Sequence, residues 1–374
     1  MNWSEWAQGR NAKARAKDRW RETRGFDAFG PRGVLSDGRR VVSFASNDYL
    51  GLASHPAVLA AAHEAIDRWG TGSGASRLVS GSRPVHEQLE QALADWKSTE
   101  AALIFPTGYA ANLGTLAALA GPQVLICADE HNHASIIDGC RLARGLGAQV
   151  ELFAHADAGA ARALLGPWTG RAIVVTDAVF SMDGDNAPVE ELAQACADHD
   201  ALLVLDEAHS VLAPHVGPFP CETLRVGTLS KALGSLGGFV AGPRVMTEML
   251  VNRARTFIFT TALAPADAAA AKAALQVLRS AEGTELVRRL EGYAGRFRRP
   301  GKALSPIVPI VVGTERAALN ASAALLDVGL LVPAIRPPTV PPGRCRLRVT
   351  LSAAHTDEEV RLLAEALERH AWWP

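Results

Sequence analysis

From residue 51 to residue 275 the chain repeatedly sets a short, unbroken apolar run against a longer stretch of helical period. The runs are Ala101–Phe105, Gln123–Cys127, Ala172–Thr176, Ala201–Leu205 and Phe239–Ala241, and segments such as Glu87–Trp96 and Val189–Asp198 carry the helical pattern. A half-exposed strand alternates apolar and polar residues. A run such as LLVL does not, so both of its faces must be covered. Strands of this kind separated by helices predict an α/β fold, a mainly parallel central sheet with helices packed against it.

The chain has 374 residues, enough for two domains. The strand–helix rhythm predicts a large domain over 51–275. Residues 1–50 form an N-terminal segment with an expected helix from Ser4 to Arg24, a turn-rich stretch at Phe29–Pro31 and a strand at Val41–Phe44. Residues 276–374 mix helices (Thr284–Arg299, Glu315–Val328, and one from Asp357) with strands (Ile307–Val312 and near Arg346–Leu351). That mix predicts a smaller α+β C-terminal domain. Its proline-rich segment RPPTVPPG, Arg336–Gly343, reads as a loop between paired strands.

A net charge of −1 gives no global attraction for nucleic acid or an anionic membrane. The basic cluster from Arg10 to Arg24 is broken by Asp18 and Glu22 and reads as a solvated helix. Five scattered cysteines without a CxxC pair support neither a disulfide framework nor a zinc ribbon, and they suit a reducing cytoplasm. The opening MNWSEWAQGR lacks a signal-peptide core, and no apolar run reaches the roughly 18–20 residues that span a bilayer.

Five motifs carry chemistry. In ALLVLDEAHS an apolar strand ends at Asp206, with His209 one short turn on, which places both at the carboxyl end of the sheet where α/β proteins bind ligands. A carboxylate there can pair with a protonated ring nitrogen. The same letters resemble the Walker B segment of a DEAH-type NTPase. That reading needs a P-loop, yet the single Gly-Lys, Gly301–Lys302, has Arg296 in place of the first glycine and Ala303 in place of Ser or Thr. The second motif, GTLSKALGSLGGF (Gly227–Phe239), sets Lys231 among small residues 25 positions after Asp206, with the hydroxyls of Thr228 and Ser230 beside it. A partly desolvated lysine loses proton affinity and can form a Schiff base, whereas most lysines are solvated surface groups.

The third motif, FPTGYAANLG, runs from a strand through a glycine turn into a helix, so the free N–H groups of Gly108 and Tyr109 form an anion site or serve a plain turn. The fourth, DEHNHAS, holds His131 and His133. With Asp129 these could ligate a metal, but no further ligands have suitable spacing, and no metal is expected; an imidazole stacked on a planar ring suits His133 better. The fifth, GTGSGASRLVSG (Gly70–Gly81), fails the dinucleotide fingerprint because Arg77 stands where the last glycine belongs, and it reads as a flexible loop near a substrate. His86 and Glu90 follow at helical spacing as structural candidates.

In order, SNDYLGL (Ser46–Leu52), GSGASRLVSG, TGYAANLG, HASIIDG, VFSMDGD (Val179–Asp185), LDEAHS, TLSK, FTTALAP (Phe259–Pro265), AIRPPTVP and LRVTLSAAH resemble the α-oxoamine synthase family of fold-type I pyridoxal 5'-phosphate (PLP) enzymes. The resemblance implies a PLP-dependent acyltransferase that joins an amino acid to an acyl thioester. It assigns the Schiff base to Lys231, the pyridinium nitrogen to Asp206, the ring hydroxyl to His209 and the ring face to His133. It assigns cofactor contacts, mostly to phosphate, to Ser181, Thr228, Gly108 and Tyr109, and to Thr260 and Thr261 from a second subunit, which implies a homodimer with a shared active site. Arg348 matches the residue that grips the amino-acid carboxylate, and Arg21, Asn47, Ser76, Arg336 and Thr339 look like substrate contacts.

Within the family, AIRPPTVP is most similar to the branch that joins L-alanine to a pimeloyl thioester for biotin synthesis, the thioester being carried by coenzyme A or an acyl carrier protein. Ser76 in GASRL stands where glycine-using members resemble GTR, and the smaller side chain leaves room for a methyl group. HASIIDG also occurs in the glycine C-acetyltransferase branch, which keeps that alternative open, as is an aminotransferase or lyase on the same fold. After DEAHS the family continues with a glycine-rich stretch, but this chain reads VLAPHVGPFP.

Overall fold

The computed structural model describes residues 2–212 and 217–372. Residues 213–216, within the atypical stretch after DEAHS, lie outside the described residues. The strands, in chain order, are β1 (Phe26–Phe29), β2 (Arg32–Leu35), β3 (Arg40–Ser43), β4 (Ala101–Phe105), β5 (Val124–Asp129), β6 (Gln149–Phe153), β7 (Arg171–Asp177), β8 (Leu202–Asp206), β9 (Thr223–Thr228), β10 (Gly238–Gly242), β11 (Ile307–Gly313), β12 (Leu330–Leu331), β13 (Ala334–Ile335) and β14 (Cys345–Thr350).

Seven of them form the central sheet in the order β4-β10-β9-β8-β7-β5-β6. The pairs β9–β8, β8–β7, β7–β5 and β5–β6 are parallel, and only β10 runs against its neighbours. The unbroken apolar runs are explained by what covers each face. Val124, Ile126, Ile173, Val175 and Val204 pack beneath the helices Gly108–Leu119 and Ala134–Gly145. Their alternating neighbours Leu125, Cys127, Val174, Leu203 and Leu205 pack on the other face with Ala161, Leu192 and Cys196. Each such aliphatic side chain, fully buried, contributes about 1.5–3 kcal/mol.

The expected N-terminal helix is shorter than the sequence pattern suggests. It spans Trp3–Ala16, buries none of its residues, and ends because Lys17 caps it and Asp18 turns to a left-handed φ of 53°. Beyond it, β1, β2 and β3 form an antiparallel meander that β12 joins in parallel, so the first fifty residues share a sheet with the C-terminal part of the chain. Phe44 continues this link by donating its N–H to Leu331 O at 2.9 Å and accepting from Thr350 N–H at 2.8 Å. A third sheet, β11-β14-β13, is antiparallel, and the proline-rich loop connects β13 to β14. The helix expected at Thr284–Arg299 runs instead over Ala281–Arg296, begun by the Ser280 side chain.

Because β10 is antiparallel, its first residue meets the carboxyl ends of two parallel strands: Gly238 faces Phe105 on one side and Thr228 on the other. A Cβ on Gly238 would lie 2.5 Å from Gly108 Cα and 2.6 Å from the Thr107 carbonyl carbon. Both are backbone atoms and cannot swing aside. Gly238→Ala is therefore expected to cost about 1–3 kcal/mol of stability, seen as a lower midpoint of chemical denaturation, and to weaken anion binding at the helix that starts with Gly108. An unchanged midpoint would contradict the close approach.

Candidate active site

The parallel strands deliver their last residues to one edge of the sheet, and a cavity of about 250 Å³ opens there. It is lined by Thr107, Gly108, Tyr109, Asn112, His133, Ser135, Asp177, Asp206, His209, Thr228, Ser230 and Lys231, among others. Of the sequence-derived candidates it gathers Gly108, Tyr109, His133, Asp206, His209, Thr228 and Lys231, which lie up to 123 positions apart in the chain (Gly108 to Lys231).

Lys231 is mostly buried and its ammonium proton is held less tightly than usual. Burial lowers its pKa, and the charges of Asp206 and Asp177 oppose that shift. Its Nζ lies 2.9 Å from His209 Nε2. A second buried lysine makes a useful contrast. Lys97 meets Glu207 at 2.8 Å and is neutralised there, whereas the hydrogen-bond partner of Lys231 is an imidazole. Burial, and then the neighbouring Lys231 cation, push the His209 pKa well below the ordinary imidazole value, so this ring is neutral.

His209 Nδ1 lies 2.6 Å from Tyr49 Oη, Tyr49 reaches Asn47 Oδ1 at 3.3 Å, and Arg348 Nη1 donates to the same Asn47 oxygen at 3.1 Å. One assignment of hydrogens satisfies the whole row. Lys231 donates to Nε2, the Nδ1 proton goes to the tyrosine oxygen, and the tyrosine hydroxyl donates to Asn47. Burial pushes the Tyr49 phenol up to about 12, which keeps it a hydroxyl. Arg348 is further fixed by donating to Ser181 O at 2.6 Å and to Thr350 Oγ1 at 2.9 Å.

Asp206 is held by Asn112 Nδ2 at 2.6 Å and by the Ala208 N–H at 2.9 Å. The same Asn112 amide donates to Ser135 Oγ at 2.9 Å, and Ser135 Oγ lies 2.8 Å from His133 Nδ1. The His133 N–H donates to Asp177 Oδ2 at 2.7 Å. Asp177 stands directly opposite Asp206 in the β7–β8 ladder, and burial, reinforced by the Asp206 charge, raises its pKa well above the carboxylate range. Burial lowers the pKa of His133. At the other end of the cavity the helix Gly108–Leu119 begins, capped by Thr107, whose side chain accepts from Ala110 N–H. Thr228 Oγ1 lies 2.8 Å from Ser230 Oγ beside it, so helix N–H groups and two hydroxyls converge as an anion cradle.

The remaining candidates do not line the cavity. Asn47, Arg348 and Ser181 join it through Tyr49 and His209, and Ser181 does so with its carbonyl. Arg21 donates to Pro337 O at 3.2 Å, and Arg336 donates to the carbonyls of Asp18 and of Trp20, so both brace the proline-rich loop that carries exposed Thr339. Ser76 precedes a single π-turn, Arg77–Gly81. The glycine-rich stretch expected to be a flexible loop is thus tied down: Arg77 makes a two-pronged bond to Glu90 at 2.9 and 3.0 Å, and Ser73 Oγ donates to Leu263 O at 2.6 Å. His86 also reaches Leu263 O, at 2.9 Å. Thr260 and Thr261 sit outside the cavity of this single chain, next to Phe259, which is 70% exposed. His131 stacks on His155 at 4.2 Å, and no group of three or more metal-ligating side chains gathers among the described residues.

Sequence reasoning missed Tyr49, Asn112, Ser135 and Asp177. Asp177 had a signal, since AIVVTD ends an apolar run in an acid just as LLVLD does. Tyr49 lies in SNDYLGL beside Asn47, but 160 residues separate it from His209 and nothing local pairs the two.

Residues 39–367 match the family described as aminotransferase class I and II. A putative 8-amino-7-oxononanoate synthase of Desulforudis audaxviator is 47% identical over 372 residues, 93% of this chain and 95% of that protein. The 8-amino-7-oxononanoate synthase of a Methylobacterium species is 50% identical over 339 residues, 88% of this chain and 87% of that protein. Among solved structures, serine palmitoyltransferase from S. paucimobilis with a bound PLP-myriocin aldimine matches with a TM-score of 0.89 at 29% identity, covering 98% of each chain. Likeness of this extent, over a sheet edge that presents a buried lysine to a carboxylate and an anion cradle, places the chain: it belongs to the class I and II aminotransferase family and, within it, to the α-oxoamine synthases of the fold-type I PLP enzymes.

Proposed function

We propose that this protein condenses L-alanine with a pimeloyl thioester, with loss of carbon dioxide and release of free thiol, to give 8-amino-7-oxononanoate in biotin biosynthesis. The observation that carries this reading is the buried Lys231, bonded to neutral His209 in one cavity with Asp206 and the cradle at Gly108 and Thr228. Two relatives named for this reaction, alike over nearly nine-tenths or more of the chain, support the choice of substrates.

The residues fit PLP. Lys231 is an amine with weakened proton affinity, suited to a Schiff base with an aldehyde. Asp206 has its carboxylate fixed by Asn112 and Ala208 and can hold a protonated pyridine nitrogen. A Cβ on Gly108 would lie 3.3 Å from Thr228 Cβ, so glycine keeps the cradle open for a phosphate. The buried Asn112 Oδ1 lacks a partner, which suits a site completed by a ligand. When bound, the cofactor supplies an electron sink for the amino-acid Cα.

The protein's part follows from placement. Arg348, fixed by Ser181 O, Asn47 and Thr350, receives the alanine carboxylate. The Lys231 amine, with its lowered pKa, takes the Cα proton and later returns one. His133, held by Asp177 and Ser135, would lie over the cofactor ring and polarise the thioester carbonyl. His209, with Tyr49 behind it at Nδ1, would present Nε2 as an acceptor to the ring hydroxyl. Thr260 and Thr261, outside the cavity of one chain and beside exposed Phe259, reach the phosphate of a partner subunit in a homodimer. Ser181 Oγ, Arg21, Asn47, Ser76, Arg336 and Thr339 complete the cofactor and substrate contacts. In this reading the N-terminal segment 1–50 packs its strands onto β12, the large domain 51–275 carries Lys231 and Asp206, and the C-terminal domain 276–374 carries Arg348. No helix among the described residues is long and apolar enough to cross a membrane. That and five free cysteines suit a cytoplasmic enzyme, with coenzyme A or an acyl carrier protein as the thiol carrier.

The test is an absorbance titration of the holoenzyme with L-alanine and, separately, glycine, followed by pimeloyl-CoA or acetyl-CoA while free thiol is assayed. A band that responds to alanine, with thiol released from the pimeloyl thioester, is the expected result. A response to glycine with thiol released from acetyl-CoA would reassign the substrates to those of a glycine C-acetyltransferase.

A further inference from the structure

The turn Ser181–Asp185 is gripped at both ends. At one end Ser181 O accepts from Arg348 Nε at 2.6 Å, Met182 O accepts from Arg346 Nη1 at 3.1 Å, and Asp183 pairs with the same guanidinium. At the other end Asp185 Oδ2 lies 2.9 Å from His155 Nε2. Two backbone bonds, Phe180 N–H to Asp185 O at 2.9 Å and Gly184 N–H to Phe180 O at 2.8 Å, close the turn into one unit. Gly184 allows it with a left-handed φ of 68°, and a Cβ there would come within 2.5 Å of Ile307 O. A shift of Asp185 therefore carries Ser181 O, and with it the acceptor that aims Arg348.

His155 is held at both ring nitrogens. Its Nδ1 lies 3.2 Å from Asp129 Oδ1, and the wholly buried Asp129 carboxylate is itself fixed by the N–H groups of His131 and Ala156, both at 2.8 Å. The ring stacks on His131 at 4.2 Å and meets Phe180 edge-on at 4.4 Å, while the His155 N–H goes to Glu130 Oε1 at 3.1 Å. A carboxylate on each nitrogen calls for a proton on each nitrogen, which makes the ring a cation between two anions. Burial works against that cation, but the bonds to Asp185 and Asp129 outweigh it, and the pKa of His155 is raised.

We infer that His155, bridging Asp129 and Asp185, is a positioning residue that holds the Ser181–Asp185 turn and through it sets Arg348 for the amino-acid carboxylate, an inference that rests on the function proposed above. His155 lies outside the cavity and touches neither cofactor nor substrate in this arrangement.

The test compares wild-type, His155→Ala and His155→Gln holoenzymes. In His155→Ala the KM and spectroscopic Kd for L-alanine should rise roughly tenfold. The kcat at saturating alanine and the KM for pimeloyl-CoA should stay within about twofold, because only ground-state carboxylate binding is touched. His155→Gln, whose amide can still donate to Asp185, should recover part of the loss. The groups facing the ring are Asp129, Asp185, Glu130 and His131. With its pKa raised, the imidazolium is fully formed below the ordinary imidazole value and is lost as pH rises through the raised one. The alanine affinity of wild type relative to His155→Gln should therefore fall toward unity at high pH. Unchanged alanine affinity in the variants overturns the inference, as does a parallel loss of alanine affinity, thioester affinity and kcat. If His155→Ala does not fold, His155→Gln alone decides it, by its alanine affinity and the pH dependence of the ratio. Failure of wild-type enzyme to respond to alanine would instead overturn the function on which the inference rests.

Discussion

Lys231→Ala is expected to reduce turnover by roughly 10⁴-fold or more, since it removes both the covalent anchor and the proton-transfer base. The effect should not come from misfolding. Among the described residues its side chain bonds to His209, and losing a mostly buried amine from a low-dielectric cavity relieves a desolvation cost. Three readings separate the outcomes. Thiol release from pimeloyl-CoA should fall to background, borohydride should no longer fix the cofactor to the chain, and the thermal midpoint of the apoprotein should hold or rise. Activity within tenfold of wild type would remove Lys231 from the chemistry. Lys97 supplies the control, because it is more fully buried and is paired with Glu207 at 2.8 Å, so its loss should lower stability.

Asp206→Asn should lower kcat by about 10²–10³-fold, the loss typical of removing one preorganised electrostatic partner from a water-excluded site. The substitution keeps the shape and removes the charge. It also turns a carboxylate that accepts from Asn112 at 2.6 Å and from Ala208 N–H at 2.9 Å into an amide, one face of which is a donor. The alanine KM should change far less, because Arg348 binds the carboxylate independently, through Ser181, Asn47 and Thr350. The absorbance of the bound cofactor should shift as the pyridine nitrogen loses its anionic partner. A variant with normal kcat and an unshifted spectrum would show that Asp206 does not hold that nitrogen. A raised alanine KM at normal kcat would place it with the substrate instead.

The two residues differ in how visible they were. Asp206 ends an apolar strand, and at the carboxyl end of a parallel sheet such a residue faces the ligand crevice, so its position followed from local pattern. Lys231 was marked by small neighbours and by its distance from Asp206 along the chain. Asp177 obeys the same rule as Asp206, but no histidine follows it closely to mark it. Asn112 sits one turn into a helix whose start was recognised, but nothing local says that its amide will face Asp206, 94 residues on. The glycine-rich stretch at 70–81 shows the opposite error. Small residues suggested mobility, while Glu90, from the helix that follows, pins the π-turn through Arg77.

The sequence by itself determined the mainly parallel sheet, the edge at which chemistry gathers, and the family. These depend on residues close in the chain: unbroken apolar strands, a helix start at Gly108, a lysine among small residues. The tertiary structure alone decided the hydrogen-bonded row Lys231–His209–Tyr49–Asn47–Arg348, the pairing of β12 with β3, and the bridge from Asp129 through His155 to Asp185. Those depend on side chains from distant segments meeting within about 3 Å, and on burial that strips water from them. Burial lowers the proton affinity of Lys231, holds His209 neutral and keeps Tyr49 protonated. Desolvation is a property of the packed surroundings and is written nowhere in the local sequence.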